Sequence, residues 1–495
     1  MIMKRLSLGV KLIIFFLLVG LIPFVTSSII ALVKSSNALS DAAYGQLKGM
    51  RAVKKTQIQK FFDERKGDMS VLLETVNTLR REAFNKLKAV QMIKKKQIED
   101  FFSASESQLH VIKDNPYIKE LLTEFDNAFM AAGDSIDSDK WRALAKKHDS
   151  FFKDMCKDLG WYDVFLICPE GSIVYTEAKE SDLGMFLDKE PIKSSPLGTA
   201  FHKLQNSNAE VVFSDFAPYA PSNNEPAAFM MARLKNDNGE IIGHIAFQIS
   251  LDHINHIMQE RTGLGETGET YLVGQDKLMR SDSYLDSENH SVKASFADPT
   301  KGSVNTDAVR EALAGRDGVK VIIDYNNNPV LSVYSPVKIK DVIWAIIAEI
   351  DVAEAFCPKD EKGAYFFKKY TEKYGYYDLF LMNPDGYVFY TVAREADYHT
   401  NMINGKYADS GLGKLVKKVL NTKKYGIADF EPYTPSNGEP AAFIAQPVVH
   451  DGKIDMVVAL QLSLDAINHI MQQREGMGQT GETYLVGQDK LMRSD

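Results

Sequence analysis

Two stretches of this chain place a carboxylate among aromatic rings, the combination best suited to hold a cationic group. Asp215 lies in a D-F-x-P-Y segment with Phe216 and Tyr219, and Tyr162, Tyr175 and Phe229 stand on neighbouring apolar runs. Asp429 repeats the arrangement with Phe430, Tyr433, Tyr377, Tyr390 and Phe443. A carboxylate framed by aromatic faces attracts an ammonium group through charge-assisted hydrogen bonds and cation–π contact, the latter worth about 0.5–2 kcal/mol. The competing reading makes the rings a sheet core and the aspartate a turn cap before the proline. Glu180, Asp182, Glu395 and Asp397 follow on a loop and are weaker candidates, because loop acids are commonly solvated.

Other chemistry finds less support. The segments 263–268 and 476–481 both satisfy G-x-G-x-x-G, but a nucleotide fingerprint follows a strand and opens a helix, whereas here a helix precedes and the strand-like ETYLVG follows. These glycines read as a tight helix-to-strand connection. His253 and His256 are spaced for one helix face, yet the repeat carries Ala466 in place of the first and keeps only His469, so surface histidines are the better reading than a metal pair. Cys156, Cys168 and Cys357 are odd in number and lack metal-ligand spacing. With no nucleophile–base arrangement either, no enzymatic activity, metal or cofactor is expected.

The elements that must position the aromatic–acid groups read as short strands divided by turns, at 162–167, 172–176, 211–213, 227–233 and 241–250, then an amphipathic helix at 251–260. A further module follows with strands at 270–273, 319–324, 330–334 and 342–350. The first module then recurs. YDVFLICPEGSIVYT aligns with YDLFLMNPDGYVFYT, and FSDFAPYAPSNNEPAAF with IADFEPYTPSNGEPAAF, at offsets of 215 and 214. SLDHINHIMQER aligns with SLDAINHIMQQR at an offset of 213. Repeats of that length are domain duplications rather than solenoid units. The sixteen residues TGETYLVGQDKLMRSD occur at 267–282 and again at 480–495, which leads us to expect a chain cut off inside a module.

Upstream, residues 12–33 form an uncharged apolar run that as a helix would span roughly 33 Å, enough to cross a hydrocarbon core. Lys4, Arg5 and Lys11 precede it, so the positive-inside rule places the N-terminus in the cytoplasm and the bulk of the chain outside the plasma membrane, as a single-pass protein. A segment at 46–62 matches one at 85–102 at an offset of forty, and the apolar stripe between them predicts a long helix or a helical hairpin. Residues 44–102 carry 14 Lys/Arg against 7 Asp/Glu in a chain of net charge −8. Beside a membrane anchor, this basic stretch reads as a solvated helix face rather than a nucleic-acid site.

A membrane helix, a long outward helix and successive α+β modules with the YDxFLxxPxG, DFxPYxPSNxxPAAF and GETYLVGxDxLMRSD segments resemble the extracellular double Cache sensor region of bacterial receptors, methyl-accepting chemotaxis proteins above all. The resemblance implies PAS-like antiparallel sheets, a small-molecule pocket in the membrane-distal module with an amino acid or amine as ligand, a homodimer, and signalling through the helix. The expected organisation is a tail at 1–10, a transmembrane helix at 11–34, a helical stalk at 35–155, a membrane-distal Cache module at 156–260, a membrane-proximal one at 261–352, a second-array module at 353–475 and the start of another at 476–495. Alternatives are the sensor region of a histidine kinase or cyclic-dinucleotide enzyme, and a single-anchor binding or adhesion protein.

Overall fold

The computed structural model describes residues 7–356, 359, 363–450 and 452–495. Lys4, Arg5 and Cys357 lie outside them. The chain divides into two compact units, Val76–Tyr365 and Met1–Thr75 with Phe366–Asp495.

Helix α1 (Leu8–Lys113) contributes to both. Its apolar N-terminal stretch is long enough to cross a membrane, and none of that window is buried against protein. In the Val76–Tyr365 unit, Ile98, Phe102, Leu109 and Ile112 return at helical spacing and are buried. Helix α2 (Pro116–Ala131) begins where Asn115 accepts the Tyr117 N–H at 2.9 Å and Pro116 takes the first helical position. Helix α3 (Asp139–Leu159) is capped by Ser138 and stops at Gly160, whose left-handed φ of 72° suits glycine.

A five-stranded antiparallel sheet follows, ordered β2-β1-β5-β4-β3, from β1 (Trp161–Ile167), β2 (Ile173–Thr176), β3 (Val211–Tyr219), β4 (Glu225–Lys235) and β5 (Ile241–Ile249). Both faces are covered. Val164, Leu166, Tyr175, Phe213, Met230 and Phe247 pack toward α1, α2 and α3, while Phe165, Ile167, Phe229 and Met231 join Leu197, Phe201 and Leu204 of α4 (Pro196–Gln205). Each large side chain withdrawn from water this way contributes about 1.5–3 kcal/mol. The D-F-x-P-Y segment is not a separate turn but the last part of β3, with a register shift between Ser214 and Ala217.

After α5 (Leu251–Gln259), a four-stranded sheet is ordered β6-β9-β8-β7, built from β6 (Glu269–Val273), β7 (Gly318–Ile323), β8 (Pro329–Ile339) and β9 (Val342–Asp351). Short helices α6 (Ser287–His290), α7 (Val292–Ala297), α8 (Pro299–Gly302) and α9 (Asp307–Leu313) separate β6 from β7, and α10 (Val352–Phe356) follows β9. The glycine loop lies between α5 and β6. Its N–H groups at Glu266 and Thr267 both donate to the Glu354 carboxylate at 2.7 Å, so an internal anion already occupies the loop.

In the other unit, α11 (Phe366–Tyr374) leads into a second five-stranded sheet ordered β11-β10-β14-β13-β12, with β10 (Tyr376–Met382), β11 (Val388–Thr391), β12 (Gly426–Pro432), β13 (Pro440–His450) and β14 (Lys453–Leu462). Helix α12 (Gly411–Thr422) covers one face, and α13 (Leu464–Met471) follows β14. The strand order is that of the first sheet. In this unit Arg65 of α1 stacks over Tyr376 at 4.9 Å, and Asp68 accepts the Tyr376 hydroxyl at 2.9 Å.

Candidate ligand site

The site is built on the α4 face of the first sheet by cross-strand register. Asp163 of β1 stands opposite Gln248 of β5, and Gln248 opposite Phe229 of β4, which sets a carboxylate, an amide and a ring side by side. Asp163 is fully buried. Its Oδ1 accepts N–H groups of Val164, Glu177 and Ala178 at 2.7, 2.7 and 3.1 Å, and its Oδ2 accepts the Thr176 hydroxyl at 2.5 Å. It thereby fastens the loop that leaves β2.

That loop delivers two more acids. Asp182, also fully buried, accepts the Tyr219 hydroxyl on Oδ2 at 2.5 Å. Glu180 accepts the hydroxyls of Ser222 at 2.5 Å and Tyr162 at 3.2 Å. Tyr219 meets Phe229 edge-on at 5.0 Å, and Phe229 meets Phe165 at 5.6 Å, which completes an aromatic wall. Tyr162 is half exposed, so one side of the group reaches solvent.

Donors are in deficit here. Asp182 Oδ1 and Gln248 Oε1 are buried with no hydrogen-bond partner among the described residues. A glutamine amide can turn its other end, but an ionised carboxylate only accepts. Burial, the largest influence, raises Asp163 to about 7 against its hydroxyl and backbone donors, and Asp182 to about 6 against the Tyr219 hydroxyl and the nearby N–H groups of Asp182 and Leu183, neither of which reaches hydrogen-bond geometry with the carboxylate. The open Asp182 oxygen can accept a further N–H or O–H donor, and its carboxylate charge favours a cationic one.

The sequence-selected residues separate on folding. Tyr162 donates to Glu180, Tyr219 donates to Asp182, and Phe229 packs on Tyr219. Tyr175 points to the opposite face, against Phe125 and Phe152 at 4.7 and 4.4 Å, with its hydroxyl on Asp149 at 2.9 Å. Asp215 accepts two hydrogen bonds from Arg280, from Nε at 2.8 Å and Nη2 at 2.9 Å, and accepts the Trp344 indole N–H at 3.0 Å. Phe216 lies near the same Trp344. Asp215 therefore ties the first sheet to the second sheet of its unit. In the other unit Tyr377, Tyr433 and Phe443 sit with Glu395 and Asp397, Tyr390 and Phe430 are buried, and Asp429 accepts Arg493 Nε at 3.0 Å. Asp163 and Gln248 escaped sequence reasoning. The signal was present as an acid and an amide interrupting apolar strands, in YDVFLI and FQIS, and recurring in YDLFLM and LQLS.

The profile of the Cache domain family matches residues 36–358. The chain belongs to the Cache domain family. Several solved structures resemble this Cache chain at low identity. The ligand-binding domain of the Pseudomonas fluorescens chemoreceptor CtaA, in complex with L-isoleucine, is 14% identical with a TM-score of 0.36, covering 57% of this chain and 97% of that one. The ligand-binding domain of the Pseudomonas aeruginosa amino acid chemoreceptor PctC, in complex with GABA, is 15% identical with a TM-score of 0.34, covering 54% and 99%. The sensor domain of the V. cholerae histidine kinase DctB is 10% identical with a TM-score of 0.37, covering 54% and 97%. No curated protein matches the Cache chain.

Proposed function

We propose that this Cache protein is a membrane-anchored extracytoplasmic sensor for a small amine-bearing metabolite, an amino acid being the class the sequence resemblance implies, and that it forms the input region of a chemotaxis transducer. The observation that carries the ligand class is the buried Asp182, with one oxygen on Tyr219 and the other without a donor. An ammonium supplies the missing N–H groups, neutralises a carboxylate that burial disfavours, and meets the aromatic wall of Tyr219 and Phe229. In this reading Asp163 shapes the loop, Glu180 and Tyr162 form the rim, and α1 carries the signal to the membrane. The repeat in the second unit is a duplicated sensor array.

Calorimetric titration of the full chain in nanodiscs with the L-amino acids and simple primary amines tests the ligand class. Losing the charge partner of a buried ammonium costs about 2–5 kcal/mol, so Asp182→Asn is expected to weaken binding a hundredfold or more. An amine that binds equally to the variant, within threefold, rejects Asp182 as its partner. A panel without any binder rejects the amine class.

A further inference from the structure

We infer that residues 366–495 hold a second ligand site of the same chemical class, so that one chain carries two receptor sites for primary ammonium compounds, the second lying outside the span that matches the Cache family. The inference rests on the ammonium reading of the first site and extends it to a unit that the family match does not reach.

The polar groups of the first site recur with their bonding. Asp378 of β10 stands opposite Gln461 of β14, which stands opposite Phe443 of β13. Asp378 accepts N–H groups of Leu379, Val392 and Ala393 at 2.7, 2.8 and 3.0 Å and the Thr391 hydroxyl. Tyr433 donates to Asp397 Oδ2 at 2.6 Å, and Glu395 accepts Ser436 at 2.6 Å and Tyr377 at 2.7 Å. The same atoms lack donors. Asp397 is fully buried and Gln461 is 4% exposed, and Asp397 Oδ1 and Gln461 Oε1 have no partner among the described residues.

Apolar neighbours have meanwhile been exchanged. Ile192, Ala200, Phe201 and Met231 of the first core correspond to Tyr407, Leu415, Val416 and Ala445 in the second. Core volume is thus filled by different side chains in the two copies, as packing permits. The buried acids are identical. A carboxylate buried with an unsatisfied oxygen costs stability, so packing gives no reason for both copies to keep it. A shared requirement to receive a donor with a positive charge gives one. The repacked walls also predict that the two sites rank amines differently by size.

The experiment uses the full chain in nanodiscs with the first site disabled by Asp182→Asn, or by Glu180→Gln should the former fail to fold as judged by circular dichroism. The twenty L-amino acids, γ-aminobutyrate and putrescine are titrated calorimetrically. At least one is expected to bind this variant with one site per chain. Adding Asp397→Asn should weaken it a hundredfold or more, and adding Tyr377→Phe, at a half-exposed position that cannot unfold the sheet, at least threefold. If wild type binds an amine and the first-site variants bind none, the second site is overturned while the first stands. If an amine still binds and neither Asp397→Asn nor Tyr377→Phe moves it, the second site is likewise overturned. If wild type binds none of the panel, both readings fall together.

Discussion

Tyr219 and Asp182, thirty-seven residues apart in sequence, share one hydrogen bond of 2.5 Å, and it satisfies only one of the two carboxylate oxygens. Asp163, by comparison, has donors on both oxygens, three N–H groups and a hydroxyl. Asp163 on β1 and Asp182 on the loop after β2 differ in this respect, and the proposal that Asp182 meets a ligand rests on its open oxygen.

Ligand affinity should depend on pH in a definite direction. Burial raises Asp163 to about 7, Asp182 and Asp378 to about 6, and Asp397 also upward, from unfolded values near 3.9. Between roughly pH 4 and 7 the native state binds more protons than the unfolded chain. Their contribution to stability is therefore greatest below the unfolded values and declines as pH rises to 7. An ammonium favours the ionised acids, so its affinity should rise from pH 5 to 7 with proton release, then level off. Calorimetry in buffers of different ionisation enthalpy reads the proton count; uptake, or affinity falling with pH, would contradict this.

Asp215 and Asp429 should respond differently to removal of charge. Arg280 is buried, and although burial opposes its charge, the Asp215 hydrogen bonds and charge hold its proton more firmly than usual. Asp215→Asn leaves that guanidinium with Asp276 and should cost about 3 kcal/mol of stability. Asp429 is largely exposed beside Arg493, and Asp429→Asn should leave the melting midpoint unchanged. Neither change should alter amine affinity by more than threefold. Denaturation curves and titrations of both variants check the pair, and a hundredfold affinity loss in Asp215→Asn would return Asp215 to the ligand site.

Gly243 in β5 should tolerate no side chain. It sits at φ +146°, and a Cβ there would lie 2.4 Å from the Ile167 carbonyl oxygen, a backbone atom of the neighbouring strand. Gly243→Ala should destabilise by about 2 kcal/mol or more in urea unfolding. An unchanged midpoint would show that β1 and β5 can separate locally without cost.

The proposed orientation can be read in cells. Alkaline phosphatase fused after Leu72 should be active in intact cells, because Lys4, Arg5 and Lys11 favour a cytoplasmic N-terminus. Activity from a cytoplasmic reporter at the same junction would reverse the topology and remove the sensor assignment.

Much of the local architecture was legible in the amino-acid order. The expected run at 162–167 coincides with β1, 241–250 with β5 and 342–350 with β9, since periodicity acts within a few residues. The sequence repeats likewise anticipate two sheets of one strand order. The D-F-x-P-Y segment was harder, because its proline and aromatics fit a turn as well as a strand end, and β3 extends through them to Tyr219.

Sequence by itself therefore determined where several strands and the apolar N-terminal helix lie, that this helix is long enough to span a membrane, and that the segments of the first sheet recur in the chain. Only the tertiary structure decided which acids face the aromatic wall. Asp215 and Asp182 are both acids near tyrosines in the chain, but register turns Asp215 to Arg280 and Trp344 and the loop after β2 brings Asp182 under Tyr219. A one-residue change of register sends a strand side chain to the opposite face, so composition and spacing leave partners undetermined until the sheet has formed.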